Sequence, residues 1–121
     1  MNKEQYVTFE VAKFLKENGF DWFTFYSYEV YNGNVQLRVT NGVDTGFPLF
    51  LRPTQQKAMR WLRNEKGIHI YLFPVKGLNY VVSVYVEQGN KTYDRILSRS
   101  GRNAYEDAVD AALLYVFQNL I

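Results

Sequence analysis

Asn32-Gly33 restricts the fold of this chain more than any other feature, because it joins two runs of alternating residues, 23–31 and 35–40. Both central positions of a two-residue type I′ turn need positive φ, which Asn and Gly tolerate best, and the twist of that turn suits the strands on either side. The loop length then sets the register: Val30 opposite Val35, Tyr28 opposite Leu37 and Tyr26 opposite Val39, with Glu29 facing Gln36 and Ser27 facing Arg38. One face of the hairpin is wholly apolar and the other polar, so a slip by one residue would mix them. The apolar face is expected to be mostly core. Phe23 and Phe25, which fall on the opposite face, are left unexplained by the alternation.

Helices bracket this hairpin. Thr8 as N-cap, apolar Val11, Ala12, Phe14 and Leu15, and the stop at Asn18-Gly19 predict a first helix. A short edge strand is expected over 47–51, since Pro48 cannot donate to a central ladder. A second helix over 54–66 turns Ala58, Met59, Trp61 and Leu62 inward and Lys57, Arg60 and Arg63 outward, and it ends at Gly67. Three strands, 68–73, 80–87 and 92–97, read as an antiparallel meander covered at least partly on both faces. In the closing helix, Asn103 and Glu106 have capping-box spacing, and Tyr105, Ala108, Val109, Ala112, Leu113, Val116 and Leu120 follow a 3.6-residue period. Leu114, Phe117 and Ile121 form a second apolar set beside that stripe, which contact with another protomer could bury.

The fold class that follows is α+β, one domain over 1–121 in the order αββ(β)αβββα, with an antiparallel sheet, or two small sheets, packed against helices. With 47% apolar and 21% charged residues the chain can bury a core. It has no cysteine, so disulfides, thiolate nucleophiles and cysteine metal sites are excluded. No apolar run approaches the ~20 residues of a membrane span and the N-terminus lacks a signal-peptide pattern, so the expectation is a cytoplasmic protein with no membrane partner.

Chemistry-bearing motifs are few. His69 is the sole histidine and sits between Ile68 and Ile70, where a structural role is expected. No phosphate-loop or dinucleotide motif occurs, and no catalytic residue, metal site or cofactor is assigned. Ser98, Arg99, Ser100 and Arg102 lead into the last helix and could receive an anion, although Glu106 and Asp107 already supply negative charge there. Lys57, Arg60 and Arg63 could track a phosphate backbone or simply form a solvated helix face; the net charge of +2 does not decide. The aromatic hairpin offers Trp22, Tyr26 and Tyr28 as a contact surface if helices leave them uncovered.

Segment 54–120, with its order helix, three strands, helix, is similar in topology to a double-stranded RNA-binding domain. That resemblance implies a basic start to the last helix and a His-bearing loop after the first strand. The chain instead reads Asn103-Ala104-Tyr105-Glu106-Asp107 and Val75-Lys76-Gly77-Leu78-Asn79, so the RNA contacts do not carry over. Pro53-Thr54 leading into KAMRWLRNEKGIHIYL, and the closing AYEDAVDAALLYVFQNLI, resemble small phage and mobile-element proteins of gut bacteria. The resemblance implies an accessory protein of the host cytoplasm that binds a host protein or small molecule. The leading expectation is therefore a non-enzymatic binding protein acting on a protein or small molecule, with Trp22, Tyr26 and Tyr28 as a candidate partner surface and the stripe Leu114, Phe117 and Ile121 as the candidate contact should it self-associate as a homodimer. Nucleic-acid or nucleotide binding through the basic residues is the alternative.

Overall fold

The computed structural model describes residues 5–40, 46–75, 79–98 and 104–121. The elements are α1 (Phe9–Glu17), β1 (Tyr26–Tyr31), β2 (Asn34–Val39), β3 (Leu49–Leu51), α2 (Gln55–Trp61) running on as a π-helical turn (Leu62–Lys66), β4 (Ile68–Val75), β5 (Asn79–Val86), β6 (Lys91–Ser98) and α3 (Ala104–Asn119). The α+β class and the expected order of elements hold. The strands form two antiparallel sheets, β2-β1-β3 and β4-β5-β6, and the chain divides into two compact units, Met1–Thr54 and Gln55–Ile121. No helix among the described residues is long and apolar enough to cross a membrane.

In the first unit, the Thr8 hydroxyl accepts from the Val11 amide at 3.4 Å and so caps α1, while Val11, Ala12 and Leu15 form its buried stripe. The turn has the expected backbone, with φ of 49° at Asn32 and 78° at Gly33. The β1–β2 register agrees at every position given by the loop length, from Val30 with Val35 to Tyr26 with Val39. β3 pairs on the other side of β1, placing Phe50 opposite Tyr28 and Leu49 opposite Glu29. Pro48 and Pro53 flank this three-residue strand, and the Lys16 ammonium donates to the Leu49 carbonyl at 2.8 Å.

In the second unit, α3 packs against the sheet and α2. Ile68, Val82 and Val84 are buried, as are Ala58, Met59, Trp61 and Leu62 from the α2 segment. The π turn ends at Gly67, whose amide donates to the Leu62 carbonyl from a left-handed φ of 64°. β4 continues through Pro74, which an edge strand tolerates. Cover is incomplete on one sheet face, since Tyr71 and Phe73 on β4 are exposed. One expectation needs correction here. Tyr105 is partly exposed and packs edge-on to Tyr80 rather than joining the buried stripe of α3. The Asn103 cap, the loop over 76–78 and the loop over 41–45 lie outside the described residues.

Candidate interaction surface

A two-residue hairpin loop makes the residues flanking it, Tyr31 and Asn34, a hydrogen-bonded pair, after which bonded and non-bonded pairs alternate. Glu29 with Gln36 and Ser27 with Arg38 therefore exchange main-chain bonds. The alternation extends to the Thr40 amide, which donates to the Phe25 carbonyl at 2.8 Å. Residues of the other parity turn their main chain away from the hairpin partner. On β1 these groups meet the β3 side, where the Val30 amide donates to the Pro48 carbonyl and the Arg52 amide to the Tyr26 carbonyl. On β2, the outer strand of its sheet, the same parity belongs to Val35, Leu37 and Val39. Their N–H and C=O groups point off the open edge.

Those three residues also carry the apolar face, and this is where the structure overturns the sequence reading. Leu37 and Val39 are each 59% exposed and Val35 44%, whereas Ser27 and Glu29 on the opposite face are 1% and 7% exposed. The polar side is the buried one along β1. Burying Glu29 is tolerable because its carboxylate is satisfied: Gln36 donates Nε2–H to Oε1 at 2.8 Å, and Arg38 donates Nη1–H to Oε2 at 3.0 Å. Ser27 and Thr40 share a hydroxyl hydrogen bond beside it.

The exposure of β2 has a steric cause. The apolar face is covered only over β1 and β3: Phe9 of α1 meets both Tyr28 and Phe50 edge-on, Tyr6 meets Tyr26, and the Arg52 guanidinium lies over the rings of Tyr6 and Tyr28. α1 is seated at the β3 edge, with its buried Ala12 and Leu15 against Leu49 and Leu51, which share a face with Glu29 and Ser27; β2 lies about two strand spacings of about 4.8 Å from β3 and stays largely exposed on both faces. α1 is held there by the Lys16 bond to Leu49, by the Lys16 ammonium over the Phe50 ring, and by the contacts around an apolar cavity of about 140 Å³ lined by Ala12, Leu15, Lys16, Phe20, Leu49 and Leu51. At the open end of the hairpin Phe23 and Phe25, the two residues the alternation leaves unexplained, pack edge-on against each other and remain mostly exposed.

The residues expected to carry function are distributed differently from the sequence reading. Trp22 is half-buried against Phe20, and Tyr26 is partly exposed. Tyr28 is half-buried, its hydroxyl donating to the Val7 carbonyl at 2.6 Å and its ring meeting Phe9 edge-on. Phe117 is corrected. It is 5% exposed, since it stands four residues after Leu113 and eight after Val109 on one buried row of α3. Leu114 is half-buried and Ile121 exposed. Arg60 and Arg63 lie exposed on the α2 segment, with Lys57 half-buried on the same segment. Ser98 is the last residue of β6, and Arg99, Ser100 and Arg102 lie outside the described residues. Val35, Leu37 and Val39 are the surface that sequence reasoning misses; their register is visible in the alternation, but an apolar face reads as core.

His69 Nε2 meets the Glu87 carboxylate at 2.7 Å, on the same open sheet face as Tyr71, its stacked neighbour. The pair borders an exposed strand, with Glu87 itself mostly exposed, which is the setting of a surface contact. Among the described residues no group of three metal-ligating side chains forms. Comparisons with protein-family models, curated proteins and solved structures give no match.

Proposed function

We propose that this chain is a non-enzymatic binding module that holds a protein partner against the outer strand of its hairpin, at Val35, Leu37 and Val39. The observation that carries the reading is uneven cover of the hairpin: polar Ser27 and Glu29 of β1 are buried while three alternate apolar residues on one face of β2, Val35, Leu37 and Val39, stand in solvent. Exposed apolar side chains grouped in this way mark contact sites on soluble proteins. Extended segments also add to open sheet edges by main-chain pairing, with alternate side chains giving specificity. Nucleic-acid contact is the weaker reading, because the described cations of the α2 segment are not joined by an exposed aromatic on the same helix; Trp61 there is buried.

Carbene footprinting of the full chain tests the proposal, in dilute buffer and in lysate of cells that produce it. The expected result is that labelling at 35–39 falls severalfold in lysate while labelling at Phe73 is unchanged, and that Leu37→Lys removes the protection. Equal labelling of 35–39 in both media overturns the reading.

A further inference from the structure

We infer that the occupant of this edge is a second copy of the chain, paired antiparallel through β2 about a two-fold axis at Leu37. The inference rests on the binding surface proposed above and names its partner. Its first support is that the other strand edges are obstructed. β3 is three residues long, flanked by prolines and capped by Lys16; β4 carries Pro74, and β6 carries Lys91, Asp94 and Arg95. Natural sheets use such devices to prevent edge pairing. β2, Asn34-Val35-Gln36-Leu37-Arg38-Val39, has no proline and a single charge, and that charge is engaged by Glu29.

The second support is self-complementarity. Antiparallel pairing keeps faces matched only when the two residue numbers in each pair sum to an even value, which leaves few registers. With the axis at Leu37, Leu37 faces Leu37 of the second copy and Val35 faces Val39 in both directions. These are the three residues whose N–H and C=O groups point outward, so every outward group on β2 gains a partner. Gln36 then faces Arg38 of the second copy. Moving the axis to Gln36 leaves Val39 opposite the turn glycine, and moving it to Arg38 sets two guanidinium groups against each other. Of these registers, the Leu37 axis alone gives all three apolar residues apolar partners while avoiding like charges. A two-fold contact of this kind uses the same patch on both copies and closes on itself, giving a six-stranded sheet in the order β3-β1-β2-β2-β1-β3.

The interface is one strand wide and falls short of the roughly 800 Å² per partner of a stable complex. The dimer is therefore expected to be concentration-dependent over roughly 10 µM to 1 mM. Sedimentation of the full chain and amide hydrogen exchange by NMR across that range form the test. The expected result is a monomer–dimer equilibrium in which the Val35, Leu37 and Val39 amides gain protection as the dimer forms, while Gln36 and Arg38 are protected at every concentration. In a mixed isotope-labelled sample, an inter-copy contact between the α-protons of Gln36 and Arg38 reports the register. Leu37→Pro, which removes an outward N–H, should abolish the dimer, and Leu37→Lys should do the same with the N–H retained. A chain that stays monomeric to 1 mM, or a dimer in which those three amides still exchange freely, overturns the inference. Protection of 35–39 in lysate by a chain that is monomeric when pure would remove the second copy and leave the binding surface standing.

Discussion

Glu29 is the residue on which the buried side of the hairpin depends. Its carboxylate accepts from Gln36 and Arg38, so removing either donor leaves a buried acceptor with less than its full set of bonds. Arg38→Ala is expected to lower stability by about 1–3 kcal/mol, read from urea denaturation, because the unmet desolvation of a buried charge exceeds the net worth of the bond lost. Gly33→Ala tests the turn in the same way. An added methyl group there would meet nothing within 4 Å, yet φ is +78°, so a loss of about 1 kcal/mol is expected from backbone strain alone. Much of this scale is legible in the sequence. Asn32-Gly33 dictates the register because turn chemistry is local. That Tyr28 and Phe117 are engaged within the chain is not legible, since each depends on where Phe9 or a neighbouring element settles.

At the scale of elements, β2 has two distinguishable rows of main-chain groups, and proline separates them. Gln36→Pro removes an N–H directed into β1 and is expected to cost about 3 kcal/mol or more, with loss of hairpin signals in the NMR spectrum. Leu37→Pro, one position on, removes a group directed off the edge and should leave the β1 pairing intact. A comparable loss in both variants would contradict the alternation derived from the loop. Periodicity also locates all three helices and the meander, because each has a long amphipathic pattern or a clear stop such as Gly67. What periodicity cannot supply is which side of a sheet is covered. A wholly apolar face reads as core, but α1 is tied to the β3 edge by Lys16, its buried Ala12 and Leu15 meet Leu49 and Leu51 on the Ser27 and Glu29 side, and β2 is left largely exposed on both faces. The same limit applies to β4, whose Tyr71 and Phe73 face out.

For the whole molecule, self-association links stability to concentration, because a partner that binds only the folded form stabilises it by mass action. The thermal midpoint should rise as the chain is concentrated, and the rise should vanish in Leu37→Lys, as followed by circular dichroism. A core substitution gives the contrast: Leu113, fully buried in α3, changed to Ala is expected to lose about 2–5 kcal/mol at every concentration. A hairpin that buries Ser27 and Glu29 while exposing Val35, Leu37 and Val39 has a further implication for how variation accumulates in this chain. In a library of single substitutions scored separately for abundance and for partner capture, positions 27 and 29 should be intolerant in the abundance screen, although they are a serine and a glutamate. Positions 35, 37 and 39 should accept polar residues freely in that screen and fail only in the other. One short ribbon would then record two selections side by side, with the greasy residues answering to the partner and the hydrophilic ones to the fold.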